Sequence, residues 1–403
     1  MPNTAVQQKV VKTLVSAQVL SGVGTAGTVA AGSLLVASIS NSETLAGLAQ
    51  TSAVLGAAAL ALPLARITAK GGRRAALSIG YFAGVIGSIF AIWGGTSRNL
   101  TLMLIGTFLV GAASAAAYQA RFAAIDLATD QTRAKQLSFV VWGSTIGAVA
   151  GPNLMQPSGN FAESIGLPRL VGPYLISAVT LAAATLVIAI FLNPDPYLLA
   201  NKDLPSKNEK GATKKALSHI RSNPTALFAI ASIAVGHLAM VAVMVMTPVH
   251  MAHVDVTLTV IGLVISIHVL GMFAFSPIVG SLSDRLGRIR VIQIGLAILI
   301  LSSVISGFAQ ANDAYTLGVG LFLLGLGWSC TLIAGSALLS ESVADTFKAS
   351  SQGASDLVMN LAGAGGGAIA GVIIGTLNYG WLCFSAAVPV TILAVLSLRL
   401  RRV

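Results

Sequence analysis

Charged residues are scarce in this sequence of 403 residues. They make up 9% of the chain, against 55% apolar residues, whereas a soluble domain carries about 25% charged residues. A soluble fold with so little charge would leave large apolar patches facing water. The apolar runs are roughly 20 residues or longer, the length of a membrane-spanning helix, and the short alternating segments of barrel strands are not apparent. Because only helices and closed barrels satisfy every backbone group in lipid, the sequence predicts an all-α membrane protein.

Other absences narrow the function. The two cysteines, Cys330 and Cys383, both lie in apolar runs, so no disulfide framework is indicated. No Walker-type Gly-x-x-x-x-Gly-Lys-Ser/Thr sequence occurs, so ATP is not implied. The net charge of +11 does not indicate nucleic acid, because the basic residues stand between apolar runs rather than on one amphipathic face. We therefore expect a lipid bilayer as the surroundings and no enzyme, no cofactor and no nucleic-acid partner.

Twelve apolar runs predict twelve transmembrane helices. The long polar stretch at 193–223 separates six runs from six, so we expect an N-terminal six-helix half at 1–192, a cytoplasmic linker at 193–223 and a C-terminal six-helix half at 224–403. In chain order the predicted spans cover 11–39, 44–66, 75–95, 100–120, 136–156, 170–192, 225–249, 257–280, 290–309, 315–340, 351–376 and 378–398.

Lysine and arginine are distributed unevenly over the loops. With both termini in the cytoplasm, the cytoplasmic segments hold 22 of the 24 basic residues, and Arg98 and Arg169 lie outside. Because basic loops stay on the cytoplasmic side, this bias predicts a multi-pass protein of the bacterial inner (plasma) membrane with cytoplasmic N- and C-termini. The first apolar run has no small-residue cleavage site after a short core, so we expect a retained span rather than a signal peptide.

One motif stands between predicted spans 8 and 9, in what we expect to be a loop. It reads Gly280-Ser-Leu-Ser-Asp284-Arg285-Leu-Gly287-Arg288. Its glycines allow a tight turn, and Asp284 can hold nearby arginines or a helix N-terminus. The motif resembles the G-x-L-x-D-R-x-G-R sequence of the major facilitator superfamily, whose two six-helix halves are related by pseudo-symmetry. The resemblance implies that these residues form a charge latch between spans that helps to hold one access state.

Two stretches of the first half are similar to family motifs. One of them lacks the acidic residue, and the other has close helix packing as a simpler explanation. In Ala65-Arg-Ile-Thr-Ala69-Lys-Gly-Gly-Arg73, Ala69 stands where the acidic residue belongs, so the first-half latch is weakened or rebuilt. Predicted span 5 contains Gly147-Ala-Val-Ala-Gly151-Pro, which is similar to the G-x-x-x-G-P motif of many antiporters. Close packing and kinking of the helix are the competing interpretation of that motif.

Polar and sulfur-containing side chains recur in the two spans after the linker. In span 7, His237, Met240 and Met244 have the spacing of one helix face, and in span 8 His268 and Met272 are four residues apart. At ~1.5 Å per residue, Met240 and His268 lie roughly 14 and 16 Å below the outer ends of their spans, near the midplane of a core about 30 Å thick. We expect consecutive antiparallel spans to present these groups to each other at the depth where such carriers hold their cargo.

These side chains suit a soft metal ion. Thioethers select Cu(I), and imidazole suits copper and several other metals. Methionine also fills gaps between helices, so the residues alone leave ordinary packing open. The pair Met-x-x-x-Met and His-x-x-x-Met resembles the CcoA-type bacterial copper importers of the major facilitator superfamily. The resemblance implies that Met240, Met244, His268 and Met272 form the path of a transported copper ion that supplies cytochrome oxidase assembly, with periplasmic or cytoplasmic copper carriers as partners. His237 is added as a ligand candidate because it shares the Met240 face.

Further polar residues are weaker candidates. Asp356, inside predicted span 11, is the best buried carboxylate for proton coupling, and a structural partnership with an arginine is the alternative. Arg121 and Asp126 are interpreted as an ion pair at the inner end of span 4. Near the outer end of span 7, Met246, His250, Met251, His253 and Asp255 could collect metal.

Two other functions remain open. The first is a proton-coupled exporter of organic compounds, which the Gly147–Pro152 motif and the apolar helices favour. The second is a non-transporting membrane sensor or assembly factor, which is disfavoured because the short linker and tails leave no room for an output domain.

Overall fold

The computed structural model describes residues 4–41, 45, 47–202, 220–252 and 258–400. Regular structure over these ranges is helical, with α-helices and short 3-10 turns. Helices form because each apolar run must pair its own backbone groups inside lipid. Ten of the described helices are long and apolar enough to cross a membrane, and a bent pair adds an eleventh span.

The longest helix accounts for the twelfth span. Leu48–Thr96 has 49 residues, about 74 Å at 1.5 Å per residue, more than twice the thickness of a hydrocarbon core of about 30 Å. It is interrupted at Gly72, whose φ of 84° and ψ of 176° are not helical. The segment therefore supplies two spans that turn at Gly72. The prediction of an all-α fold with twelve transmembrane helices is confirmed.

The twelve spans keep their predicted order. In chain order they are Thr4–Ser40 (span 1), 48–71 (span 2), 73–96 (span 3), Leu100–Ala123 (span 4), Arg133–Asn153 with Met155–Ser164 (span 5), Gly172–Phe191 (span 6), Pro224–Ala252 (span 7), Leu258–Phe273 with Ser276–Leu286 (span 8), Arg288–Phe308 (span 9), Ala314–Ser342 (span 10), Lys348–Thr376 (span 11) and Tyr379–Leu400 (span 12). Short helices at Arg169–Val171, Pro196–Ala200 and Asp345–Phe347 lie between them.

Spans 5 and 8 are each interrupted, which differs from the predicted continuous helices. The two pieces of span 5 are bent by 54°. In span 8 the second piece begins at Ser276 with Pro277 in its first turn, a position where proline costs no intrahelical hydrogen bond. Span 8 also continues to Leu286. Most of the motif expected to be a loop is therefore the end of a helix, because the single residue Gly287, with φ of 92°, is enough to turn the chain.

Contacts group the residues into two compact units. The first contains Met1–Ala128, Gly143–Ala212 and Asp345–Leu357, and the second contains Thr129–Trp142, Thr213–Ala344 and Val358–Val403. Spans 5 and 11 are each divided between these groups. The division into halves at 193–223 follows chain order and stays a prediction about the topology.

Glycines bring helices together in the first unit. A Cβ atom on Gly22 of span 1 would lie 3.1 Å from the Cα of Gly147 in span 5. A Cβ on Gly151 would lie 2.5 Å from the Cβ of Ala26 and 2.8 Å from the nitrogen of Gly27. Small residues allow such backbone approach in membranes. Gly147 and Gly151 of the motif therefore form a packing seam against span 1.

Span 10 is the central helix of the second unit. Its residues from Leu324 to Ser340 are buried with few exceptions, and glycines of the surrounding spans meet it closely. A Cβ on Gly271 of span 8 would approach the carbonyl of Phe322, and one on Gly295 of span 9 would lie 2.6 Å from the Cβ of Cys330. Spans 7, 8 and 9 all pack on this helix.

Candidate functional site

His268 is held against span 10. Its side chain has no exposed surface, and its Nδ1 atom lies 2.8 Å from the carbonyl oxygen of Leu321. Because a carbonyl can only accept, we assign the ring proton to Nδ1, which leaves a lone pair on Nε2. Within the described part of the chain, that buried Nε2 atom has no hydrogen-bond partner.

Met272 follows one turn later at the same seam. A Cβ on Gly325 of span 10 would lie 2.5 Å from the carbonyl oxygen of His268, 2.7 Å from the nitrogen of Met272 and 3.0 Å from its Cγ. Glycine at 325 therefore lets the backbones of spans 8 and 10 touch at the level of these two residues. The sequence predicts that span 8 presents them to span 7, whereas these contacts of both residues are with span 10.

His237 of span 7 also bonds to span 10, but in the opposite tautomer. Trp328 donates its indole N–H to the Nδ1 atom of His237 over 3.0 Å. Indole nitrogen is a donor only, so neutral His237 carries its proton on Nε2. A Cβ on Gly363 of span 11 would lie 2.8 Å from that Nε2 atom. The two histidines thus differ in chemistry, since His268 keeps a lone pair on Nε2 and His237 keeps an N–H there.

The remaining predicted ligands lie in span 7. Met240 is buried and Met244 is half-buried. Trp328, which holds His237, meets Phe273 edge-on with ring centroids 5.7 Å apart. Among the described residues, no three His, Cys, Asp or Glu side chains lie close enough together to hold a metal ion, so a metal site there would have to use methionine. The free thiols of Cys330 and Cys383 are both buried.

The outer end of span 7 has different contacts. His250 stacks on Tyr379 of span 12, with ring centroids 4.2 Å apart and planes 9° apart, and Met251 is buried. His253 and Asp255, expected to join them, lie outside the described residues. The proposed metal-collecting role of this end stays a prediction.

Asp356 of span 11 is paired with Arg121 of span 4. The Arg121 Nη2 atom lies 2.6 Å from the Asp356 Oδ1 atom, and the two side chains are 2% and 0% exposed. The interpretation of Arg121 and Asp126 as a pair was wrong, because Asp126 instead receives a hydrogen bond from Arg73 over 2.7 Å. Arg121 belongs to the last turn of span 4, whereas Asp126 follows the end of that helix, so the two side chains leave the chain toward different neighbours.

The second-half motif caps another helix. Asp284 accepts the backbone N–H groups of Ala134 and Lys135 in the first turn of span 5, over 3.0 and 2.9 Å. A carboxylate at a helix N-terminus satisfies free donors and opposes the helix dipole. Arg288 donates to Asp284 and to Glu341.

The other motif residues complete this arrangement. A Cβ on Gly280 would lie 2.6 Å from the carbonyl of Ala134, so glycine there admits the start of span 5. Gly287 makes the turn, and Arg285 is exposed. At the turn between spans 8 and 9, Asp284 and Arg288 are thus the centre of one hydrogen-bonded cluster.

A similar cluster exists in the first half, and the sequence reasoning missed it. Arg73 donates to Asp126 and, over 2.6 Å, to Gln352 of span 11. Asp195 accepts the backbone N–H of Arg74 over 2.7 Å and also begins the short helix Pro196–Ala200. The sequence does contain a signal for this cluster. The same number of positions separates Arg73 from Arg288 as separates Asp126 from Glu341, which marks them as equivalent residues.

Twelve apolar helices with two matching turns are the architecture of a polytopic membrane protein built from two repeats. The chain belongs to the Major Facilitator Superfamily, whose sequence model matches residues 14–255 and 237–403. Members of this family are typically carriers and not enzymes.

Similar proteins carry the same family name or the same fold. The chain is 36% identical over 365 residues to the uncharacterized MFS-type transporter YdeG of Bacillus subtilis, with 90% of this chain and 85% of YdeG aligned. It is 27% identical to the riboflavin transporter RfnT of Brucella anthropi, with 86% and 84% aligned. A solved structure of the proton:xylose symporter XylE superimposes with a TM-score of 0.76 at 16% identity, covering 98% of this chain and 96% of XylE.

Proposed function

We propose that this protein carries copper, as Cu(I), across the bacterial inner membrane by alternating access. The single observation that supports this most strongly is the state of His268. Its Nδ1–H bonds to the Leu321 carbonyl, and its buried Nε2 lone pair has no partner within the described residues. Histidines that bind metals almost always donate their other ring N–H to a carbonyl or carboxylate, which fixes the tautomer and the orientation.

The methionines supply the rest of the proposed site. Met272 lies one helical turn from His268, and Met240 and Met244 bring two further thioethers from span 7. Thioether and imidazole ligands are neutral and favour Cu(I) over hard divalent ions. A site of neutral ligands binds a monovalent ion without burying a negative charge, which costs much free energy in lipid.

His237 has a different proposed role. Its Nδ1 is occupied by the Trp328 N–H, and its Nε2 carries the proton in the neutral ring, so neither nitrogen offers a lone pair. We assign His237 to positioning Trp328 beside the site rather than to the copper ligands.

Direction and coupling complete the proposal. The basic-residue bias supports cytoplasmic termini, and import would deliver copper for cytochrome oxidase assembly. Asp356 is the proposed proton-coupling residue, since its pairing with Arg121 would weaken on protonation. Copper carriers on either side of the membrane would be the partners.

Binding of Cu(I) to the purified full-length protein tests the site. Competition with a chromogenic Cu(I) chelator should give one tight site, and X-ray absorption should show sulfur and nitrogen neighbours. Met240→Leu, Met244→Leu and Met272→Leu should each weaken binding at least tenfold, because the swap keeps the volume and removes the sulfur. The control is Met103→Leu, a fully buried methionine of span 4. Equal affinity in all four variants would remove the methionines from the site.

Transport of an organic compound is the second candidate. It is favoured by the 27% identity to a protein named as a riboflavin transporter. The first unit also contains buried neutral polar groups that would suit such a solute, including Gln18, whose amide donates to Ser144 over 2.8 Å. Riboflavin uptake by the same proteoliposomes, without copper dependence, would favour this function. As an exporter, the protein would instead protect cells from organic compounds.

A further inference from the structure

The turns at Gly72 and Gly287 are built alike. Both glycines have positive φ, 84° and 92°. Each is followed by a buried arginine, Arg73 or Arg288, that donates to a carboxylate near the end of another span, Asp126 or Glu341. A constant offset in the sequence relates these residues, so the two turns are equivalent parts of the two repeats. We call this side of the spans the basic end, because 22 of the 24 Lys and Arg residues are predicted to lie there.

The two turns differ at one functional position. In the second half, Asp284 accepts two N–H groups from the first turn of span 5. The residue equivalent to Asp284 is Ala69, which has no side-chain acceptor. By the same offset, the N–H groups that a carboxylate there would receive belong to Ala349 and Ser350, in the first turn of span 11. The turn at Gly72 therefore offers no carboxylate to the basic end of span 11.

Span 11 has an ion pair for which span 5 has no equivalent. Arg121 and Asp356 form a contact of 2.6 Å with both side chains buried. The equivalent positions are Ser336 of span 10 and Val141 of span 5, and neither residue carries a charge. Asp356 lies eight residues into span 11, ~12 Å from its first residue. Its ion pair with Arg121 therefore also holds the basic end of that helix.

The surroundings hold this pair in place. The Arg121 guanidinium lies over the ring of Phe122, with 4.6 Å between its central carbon and the ring centroid. Span 11 also approaches span 2 here, since a Cβ on Gly353 would meet the side chain of Ala65. Gln352 adds a hydrogen bond from Arg73. The first turns of span 11 are thus fixed by one ion pair, one amide hydrogen bond and a close contact at Gly353.

We propose that the Arg121–Asp356 ion pair replaces the carboxylate that is missing at Ala69. It anchors the basic end of span 11 to spans 2 and 4 and so restrains opening at that end. Alternating access requires elements of the two repeats to separate there in turn. Removing one member of a buried pair leaves the other charge uncompensated, so neutralising Asp356 shifts the protein toward the state open at the basic end. This proposal requires only that the protein is a carrier of the Major Facilitator Superfamily, whichever solute it carries.

Labelling of a buried cysteine measures the open state. Thr68 of span 2 is fully buried near Gly72, and Thr68→Cys reports opening when Cys330 and Cys383 are replaced by alanine. In the full-length protein in nanodiscs, Asp356→Asn should raise the rate of maleimide labelling at least fivefold. Adding Ala69→Asp to that variant should return the rate to within twofold of the parent, because the introduced carboxylate would cap the first turn of span 11. The control Asp313→Asn makes the same chemical change at the half-buried cap of span 10 and should leave the rate unchanged.

Two results would overturn the proposal that the ion pair replaces the missing carboxylate. One is an unchanged labelling rate in Asp356→Asn, and the other is a raised rate that Ala69→Asp does not restore, as expected if Asp356 only binds a proton. Should Asp356→Asn fail to fold, Ala69→Asp alone in the Thr68→Cys protein decides the question. That single variant keeps the ion pair and adds the cap, so labelling should slow at least twofold. An equal or faster rate would contradict the proposal.

Discussion

The contact between spans 8 and 10 allows a quantitative prediction from one glycine. A Cβ on Gly325 would lie 2.5 Å from the carbonyl oxygen of His268 and 2.7 Å from the nitrogen of Met272. Both are backbone atoms, so no rotation of a side chain can relieve the overlap, and the two helices must move apart. Gly325→Ala is therefore expected to be destabilising although alanine is the better helix former.

The magnitude follows from two opposing contributions. Replacing glycine by alanine inside a helix stabilises by about 0.5–1 kcal/mol, whereas overpacking costs about 1–3 kcal/mol. We expect a net loss of about 1–2 kcal/mol from these two contributions. The control is Gly262→Ala in span 8, where a Cβ would meet nothing within 4 Å, and there the gain of about 0.5–1 kcal/mol should remain.

Thermal unfolding of the purified variants in one detergent measures this difference. Gly325→Ala should melt below the parent protein and Gly262→Ala at or slightly above it. Cu(I) affinity should fall in Gly325→Ala alone, because the same seam holds His268 and Met272. A Gly325→Ala protein as stable as Gly262→Ala would refute the close approach of spans 8 and 10.

Further predictions address the cap, the tryptophan and the topology. Asp284→Ala should destabilise the protein by about 1–2 kcal/mol, since it removes the cap of span 5. The control Asp130→Ala, at an exposed ion pair, should cost less than about 0.5 kcal/mol. Equal melting temperatures of the two variants would contradict the capping role of Asp284. Trp328→Phe removes the donor to His237 and should leave Cu(I) affinity within about threefold of the parent, since the ligands of the proposed site remain. A tenfold loss in a chelator competition would place His237 and Trp328 in the site. A reporter fused after Val403 should be cytoplasmic, and periplasmic activity would reverse the proposed orientation.

The sequence predicted the number of spans because each apolar run is a local signal. The motif from Gly280 to Arg288 could be recognised for the same reason, because it is one contiguous stretch of the sequence. The sequence did not predict that this motif is helical up to Leu286, because a helix end and a loop share the same polar residues. A single positive φ at Gly287 decides between them.

Partners distant in the chain were harder to predict. Asp356 is 235 positions from Arg121, and no local spacing connects them, so the nearer Asp126 was chosen in error. The direction in which His268 points was also hidden, because span 8 is apolar on all sides and its sequence marks no buried face. Comparison of the two halves position by position would have identified Asp126 and Glu341 as equivalent.

Uptake of Cu(I) into proteoliposomes is the most direct test of the proposed function. His268→Asn is the decisive variant, because an asparagine amide can keep the hydrogen bond to the Leu321 carbonyl but has no imidazole lone pair. Protein levels and melting temperature should match the parent, and Met103→Leu should transport normally. We expect rapid Cu(I) uptake by the parent protein and at least a tenfold slower rate in His268→Asn. Equal uptake by the two proteins, or no uptake by the parent above empty liposomes, would contradict copper transport through His268.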